Sequence, residues 1–283
     1  MFKIHLKRRN TKLLILLILI IIIIVSIILT ENKNNKVETI SLKNNVEVFD
    51  FKEKEDNKKR GWGIKRKEDH TQPDVGINNK KILEKYNGIC MGNSESNKIY
   101  LTFDEGYEAG YTEEILKILK ENDIVATFFI TAHYLNTNEE LVKQMIDDGH
   151  NVGNHTVNHK SMPELTDKEI EYEIIELHKA MIGKFNYEMK YMRPPMGEFS
   201  KRTLGLTKNL GYTTVMWSFA YEDWNENKQP STEYAMKKIL ENVHSGEINL
   251  LHGNSKTNMK VLDNIIKEIK NMGYVFSSLD EFE

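Results

Sequence analysis

The 283-residue chain has a single cysteine, Cys90. One thiol cannot build an intrachain disulfide framework. It also leaves too few thiolates for a cysteine-rich zinc site, so any metal must rest on histidine and carboxylate. Neither sign of charge dominates, since 39 Lys+Arg against 42 Asp+Glu leave a net −3. Bulk charge therefore gives no sign of a nucleic-acid partner. Apolar residues make up 40%, too many for wholesale disorder. The length fits one or two domains.

The apolar residues are unevenly spread. Leu13 to Leu29 is a 17-residue run whose one polar residue is Ser26, and Lys3, Lys7, Arg8, Arg9 and Lys12 precede it. At ~1.5 Å per residue the run spans roughly 25 Å, against a hydrocarbon core of about 30 Å. Thr30 and a snorkelling Lys12 extend that reach. The sequence Ile28-Leu29-Thr30-Glu31-Asn32 lacks a small-x-small cleavage site. We therefore expect a cytoplasmic basic segment over 1–12 and an uncleaved transmembrane signal-anchor over 13–30, with a cleaved signal peptide as the alternative. The positive-inside rule then puts the rest of the chain outside the cytoplasm. Residues 31–71 are rich in Lys, Glu, Asn and Asp and lack apolar periodicity, so they read as a charged linker.

From residue 72 to 283, strand-like and helix-like segments alternate. The expected strands are Ile99–Phe103, Ala126–Ile130, Asn151–Gly153, Tyr191–Arg193, Tyr212–Trp217, Ile248–Leu251 and Tyr274–Phe276. Between them lie helices over Glu113–Glu121 with Thr112 as N-cap, and from Asn138, also as a cap, to Asp148. Others run from the Thr166-Asp167-Lys168-Glu169 capping box to about Ile182, then over Ser200–Leu210, Tyr234–Val243 and Asn258–Met272. Such alternation argues for a parallel sheet with helices outside it. About seven units suit an incomplete or distorted (β/α) barrel.

Residues of catalytic type recur just after the strands: Asp104-Glu105, His155 and His159, Arg193, Asp223 and His252. In a β/α barrel the strand C-termini share one face, and active sites are built there. His155 and His159 have a spacing that lets two imidazoles meet one ion, or else they cap a loop. Asp104 and Glu105 suit one metal ligand and one base, or a helix cap. A buried Arg193 needs a carboxylate, for which Asp223 is the candidate. His252 reads equally as a site imidazole or a core histidine. His5, His70, His133, His150, His178 and His244 are read as structural or surface residues.

Together these residues resemble the polysaccharide deacetylase family, the NodB-homology domain of carbohydrate esterase family 4, over roughly Ile99 to Leu279. The motifs run in order: Thr102-Phe103-Asp104-Glu105, His155-Thr156-x-x-His159, Arg193-Pro194-Pro195-x-Gly197, Asp223-Trp224 and Leu250-Leu251-His252. The resemblance implies a distorted (β/α)7 barrel. It implies Asp104 as general base, His252 as general acid, Arg193 orienting Asp104, and Asp223 holding Arg193. His155, His159 and Glu105 would ligate one divalent ion: zinc, or else cobalt, manganese or iron. Trp224 and Leu250 would line an acetyl pocket, and the N–H of Met196 would face the oxyanion. Two departures stand out: Glu105 replaces the family's usual aspartate, and Ala220 replaces an acidic residue.

The stretch from Thr102 to Thr112 and the run Trp217-Ser218-x-Ala220-x-x-Asp223-Trp224 are similar to one branch of the family. That branch makes muramic δ-lactam in spore cortex. This similarity implies removal of acetyl from N-acetylmuramic acid in peptidoglycan already stripped of peptide by an amidase. The forespore membrane is then a candidate location, with a glycan strand lying against Tyr107, Tyr111, Tyr221 and Trp224. The alternatives are an N-acetylglucosamine deacetylase of wall or chitin-type glycans and, from another class, an inactive membrane-tethered wall-binding module.

Overall fold

A computed structural model describes Glu55–Glu283. The basic segment 1–12, the anchor 13–30 and the linker up to residue 54 lie outside the described residues. Among the described residues no helix is long and apolar enough to cross a membrane.

In chain order the elements begin β1 (Arg60–Gly61), α1 (Ile77–Lys85), β2 (Gly88–Ile89), β3 (Lys98–Glu105), α2 (Thr112–Glu121) and β4 (Thr127–Ile130). Next come α3 (Ala132–Thr137), α4 (Glu139–Asp147), β5 (Asn151–Asn154), α5 (Asp167–Phe185), β6 (Tyr191–Met192), β7 (Glu198–Phe199) and α6 (Lys201–Asn209). The chain closes with β8 (Thr213–Val215), β9 (Phe219–Ala220), α7 (Thr232–Leu240), β10 (Glu247–His252), α8 (Lys256–Asn271) and β11 (Val275–Phe276). The seven expected strands correspond to β3, β4, β5, β6, β8, β10 and β11. The others are two-residue pieces, too short to carry a period.

One nine-stranded sheet runs β2-β8-β6-β5-β4-β3-β10-β9, with β11 beside the start of β3. Every pair within it is parallel. All strand C-termini therefore open on one end. The sheet is curled, and the chain joins its two ends: β8 lies near one edge and β9 at the other, with only Met216–Ser218 between them. At the opposite end of the sheet the chain following β2 meets β10, where Met91 bridges Glu247 and Gly92 N–H donates to Gly246 O at 2.8 Å. Gly246 has φ +70°, and a Cβ there would lie 2.6 Å from the Gly92 carbonyl carbon, so only glycine permits this crossing. The sheet's ends thus meet by chain crossing, not by strand pairing.

Alternation along β3 sorts its side chains into two environments. Ile99, Leu101 and Phe103 face the helix layer, packed with Ile115, Leu119, Ile265 and Ile266. Tyr100 faces into the curl with Phe129, Val215 and Ile248. The inner face continues upward to Asp104 and the outer face to Glu105, and this decides where each carboxylate goes.

Three local expectations change. The Thr166–Glu169 capping box forms as expected, but the N-cap of α2 is Tyr111, and Thr112 lies inside the first turn. Asn138 stands before α4 but makes no side-chain cap bond, and its amide Nδ2 donates to Thr137 Oγ1 at 2.9 Å, at the end of an α3 that shows no sequence signature. The expected linker over 31–71 gives way to ordered structure from Glu55. Here β1 pairs with β7, and Trp62 is buried with its Nε1 donating to Trp217 O at 2.8 Å. A single tryptophan and a two-residue strand leave no periodicity to read.

Candidate active site

The open end of the sheet holds a cavity of about 1070 Å³. Asp104, His155, His159, Met196, Trp224, Leu250 and His252 all line it. Asp104 and His252 are register partners on neighbouring parallel strands, both on the inner face. Cα atoms so paired sit about 4.8 Å apart, so the carboxylate and the imidazole serve one space.

Each is held by a separate partner. Arg193, fully buried after β6, donates from Nη1 to Asp104 Oδ1 at 2.7 Å and from Nε to Val215 O at 3.1 Å. Its guanidinium lies 4.2 Å from the Phe129 ring centroid, an added stabilisation for a desolvated cation. Burial raises the Asp104 pKa, but the charge and hydrogen bond of Arg193, with His252 nearby, outweigh it, so the carboxyl falls below its usual range and stays ionised. Asp223 does not touch Arg193, contrary to the expectation from sequence. Its Oδ1 accepts His252 Nδ1 at 2.7 Å, and its Oδ2 accepts the His252 backbone N–H at 2.9 Å and Asn258 Nδ2 at 2.6 Å. The reason is topological: β9, which leads to Asp223, pairs with β10 and not with β6. Burial alone would lower the His252 pKa, but the Asp223 charge and hydrogen bond carry it above the usual value. The imidazole therefore holds its proton more tightly than a free histidine.

His155 directly follows β5, and His159 comes after a turn with left-handed Thr156 (φ 71°), His159 itself lying at φ 54°. That turn brings the two Nε2 atoms to 3.1 Å. His155 Nδ1 faces Arg193 O at 2.8 Å, an acceptor only, so Nδ1 carries the hydrogen and Nε2 presents its lone pair to the cavity. Burial pushes His155 down to about 4, and it lowers His159 as well, so both rings are neutral. Two neutral imidazoles whose Nε2 atoms face one point fit one divalent ion.

Glu105, the expected third ligand, does not join them. Its outer-face position buries it completely beside Gly253, with Thr112 Oγ1 3.4 Å from Oε1 and, among the described residues, no partner for Oε2. Burial, and then the Glu108 charge, raise its pKa well above the ordinary value, so it is a neutral acid. Among the described residues no group of three or more His, Cys, Asp or Glu is arranged to hold an ion.

The other expected residues line the walls. Met196 is 56% exposed and left-handed at φ 58°. Leu250 is buried, and the Trp224 ring lies 5.9 Å from that of His252. The loop after β3 is set by Glu108, whose Oε1 accepts the N–H groups of Gly110 (2.5 Å), Tyr111 (2.8 Å) and Thr112 (3.3 Å). Tyr134 OH donates to its Oε2 at 2.9 Å. Tyr107 is thereby held at the rim, where Asn254 Nδ2 donates to its OH at 2.9 Å. Sequence reasoning missed Asn254, Asn258 and Trp217, and it set aside His133, which also lines the cavity. His133 follows β4, so the strand-end rule that picked out the other residues applies to it as well.

Residues 91–215 match the family model described as polysaccharide deacetylase. The chain is 40% identical over 228 residues to the peptidoglycan-N-acetylmuramic acid deacetylase PdaA of Bacillus subtilis, covering 80% of this chain and 86% of that protein. The chain belongs to the polysaccharide deacetylase family. The structure of B. subtilis PdaA, described as a family 4 carbohydrate esterase, superposes with a TM-score of 0.78 at 38% identity, over 80% of this chain and 97% of that one. A peptidoglycan-N-acetylglucosamine deacetylase of Bacillus cereus is 34% identical over 65% of this chain and 86% of its own length. For a polysaccharide deacetylase, the curled parallel α/β sheet with its cavity at the strand C-termini is the shared fold.

Proposed function

We propose that this polysaccharide deacetylase removes the acetyl group from N-acetylmuramic acid in peptide-free peptidoglycan, so that the freed amine and the lactyl carboxyl close to muramic δ-lactam. The observation that carries the hydrolytic reading is the Asp104–His252 pair, with Arg193 behind one member and Asp223 behind the other. Asp104, kept ionised, takes the proton from the attacking water. His252, its proton secured by Asp223, delivers it to the departing nitrogen; an amine must leave protonated, and groups of this kind supply typically 10²–10⁴-fold each. The Met196 N–H is the donor for the oxyanion. Leu250 and Trp224 wall the acetyl methyl. His155 and His159 would hold a divalent ion, zinc by donor type, which when bound acidifies water and polarises the carbonyl.

The muramate assignment draws on the likeness to PdaA and on the stretch from Thr102 to Thr112. It carries a dependence on an amidase that first removes the peptide, and a place in spore cortex formation. The run Leu13–Leu29 would anchor the chain with this domain outside the cytoplasm, in reach of wall glycan. Similarity to a glucosamine deacetylase supports the alternative substrate. The test is incubation with peptide-free and peptide-bearing peptidoglycan, followed by mass spectrometry of the fragments. Lactam from peptide-free strands is expected; glucosamine without lactam would move the assignment to N-acetylglucosamine. Acetate release that Asp104→Asn abolishes sets aside an inactive wall-binding role, and no release by the wild type from any wall glycan would establish that role.

A further inference from the structure

The inference rests on the muramate reading above. Peptide-free N-acetylmuramic acid differs from N-acetylglucosamine by a lactyl carboxylate on the ring carbon next to the acetamide. With the acetamide between Asp104 and His252, that carboxylate lies in the same cavity. The cavity already contains the Asp104 anion, so a second carboxylate needs a charged or strongly polar donor.

The possible donors are few. Among the described residues no lysine lines the cavity; Arg66 donates to Ala220 O, and Arg193 holds Asp104 through Nη1 while its Nη2, without a partner, is buried away from solvent. His155 and His159 face each other, and His252 is bonded to Asp223. Asn158 donates to Glu173 at 2.7 Å, and Asn254 donates to Tyr107 OH and to Trp224 O. Trp224 walls the acetyl methyl, and the Trp217 ring lies against Gly197. His133 remains: it is exposed, it lines the cavity, and its ring makes no hydrogen bond among the described residues.

The backbone beneath it is fixed. Thr131 Oγ1 accepts the Tyr134 N–H at 3.2 Å and donates to Gly106 O at 3.1 Å. Tyr134, next in sequence, is fully buried and anchored to Glu108, so α3 is pinned through its inner face and His133 is presented on its outer one.

We propose that His133 is a specificity-determining residue that binds the substrate's lactyl carboxylate. Either a neutral or a charged imidazole can donate an N–H to that group, and no part of the hydrolytic step passes through it.

The test compares wild type, His133→Ala and His133→Gln on peptide-free glycan and on the same glycan with its lactyl carboxyls methyl-esterified. With His133→Ala, KM on the free carboxylate should rise about ten- to a hundredfold, the worth of a hydrogen bond to a charged group, with kcat within about twofold. His133→Gln, which keeps an N–H, should recover part of the loss. On the ester the three proteins should share one KM. An unchanged KM on the carboxylate, or an equal loss on both glycans, would overturn the assignment. A wild type that releases no acetate from peptide-free glycan would overturn the muramate reading and this inference with it. An active wild type with an unaltered His133→Ala variant overturns the inference alone.

Discussion

Gly253→Ala tests the placement of Glu105 most directly. A Cβ at position 253 would lie 1.8 Å from Glu105 Oε1, 2.3 Å from Cδ and 2.4 Å from Oε2. All three atoms belong to one side chain, and its exposure is 0%, so it has no solvent to swing into. Gly253 is not among the positive-φ glycines, so its backbone accepts alanine and only space forbids it. Forcing a methyl into such a site costs typically 1–3 kcal/mol, or roughly 2–4 °C of Tm per kcal/mol for a domain of this size. Urea denaturation of Gly253→Ala should show that loss. In a Glu105→Ala background the same substitution should be neutral or gain about 0.4–1 kcal/mol from the stiffer unfolded chain. The double-mutant cycle should therefore return a coupling on the order of 1–3 kcal/mol. An equal loss in both backgrounds would refute the reasoning, because the carboxyl would not be what occupies the space.

Three further outcomes are expected. Asp223→Asn removes the charge that raises His252, so kcat should fall on the order of 10²–10⁴-fold and the alkaline limb of the pH–rate profile should move to lower pH; a limb that stays in place would belong to another group. Calorimetric titration of chelator-stripped protein with zinc should lose its signal in His155→Ala and keep it in Glu105→Gln, whereas loss in Glu105→Gln would return that carboxylate to the metal. Glu247 is fully buried beside Asn249 and His244, and burial raises its carboxyl from 4.5 to about 8. The folded chain holds a proton there that the unfolded chain loses, so this contribution is full below about pH 4.5 and declines by roughly 1.4 kcal/mol per pH unit until pH reaches about 8. Chemical denaturation of Glu247→Gln across pH 5–8 should show a flatter stability profile than the wild type; parallel profiles would mean that Glu247 is ionised in the fold.

The strand–helix alternation was legible because β3, β4 and β10 are long enough to display a period, and the Thr166 capping box because it is local. Pairings across the sheet were not. Charge and the family resemblance both pair Asp223 with Arg193, and only the strand order, which puts β9 beside β10, sends it to His252. Asp104 and Glu105 are adjacent letters, yet period-2 alternation already forbids both from facing one ion from a regular strand. That signal was present in the sequence, and family resemblance overrode it. Residues 55–71 carried none, since their order comes from Trp62 docking on a segment 155 positions away.

The three residues that carry the chain from β8 to β9 have a mechanical consequence. A curled sheet with free margins can breathe, and its rim can widen like an opening clasp. Here Met216–Ser218 stitch the margins together, with Ser218 N–H donating to Ile248 O at 2.9 Å and Met216 N–H to Ile89 O at 2.8 Å. The tether therefore joins the margin beside β6, after which Arg193 lies, to the margin beside β10, which ends at His252; the base and the acid themselves are spaced by the β3–β10 pairing. Lengthening this tether by a residue should let the margins part and lower activity without touching any group that performs the chemistry.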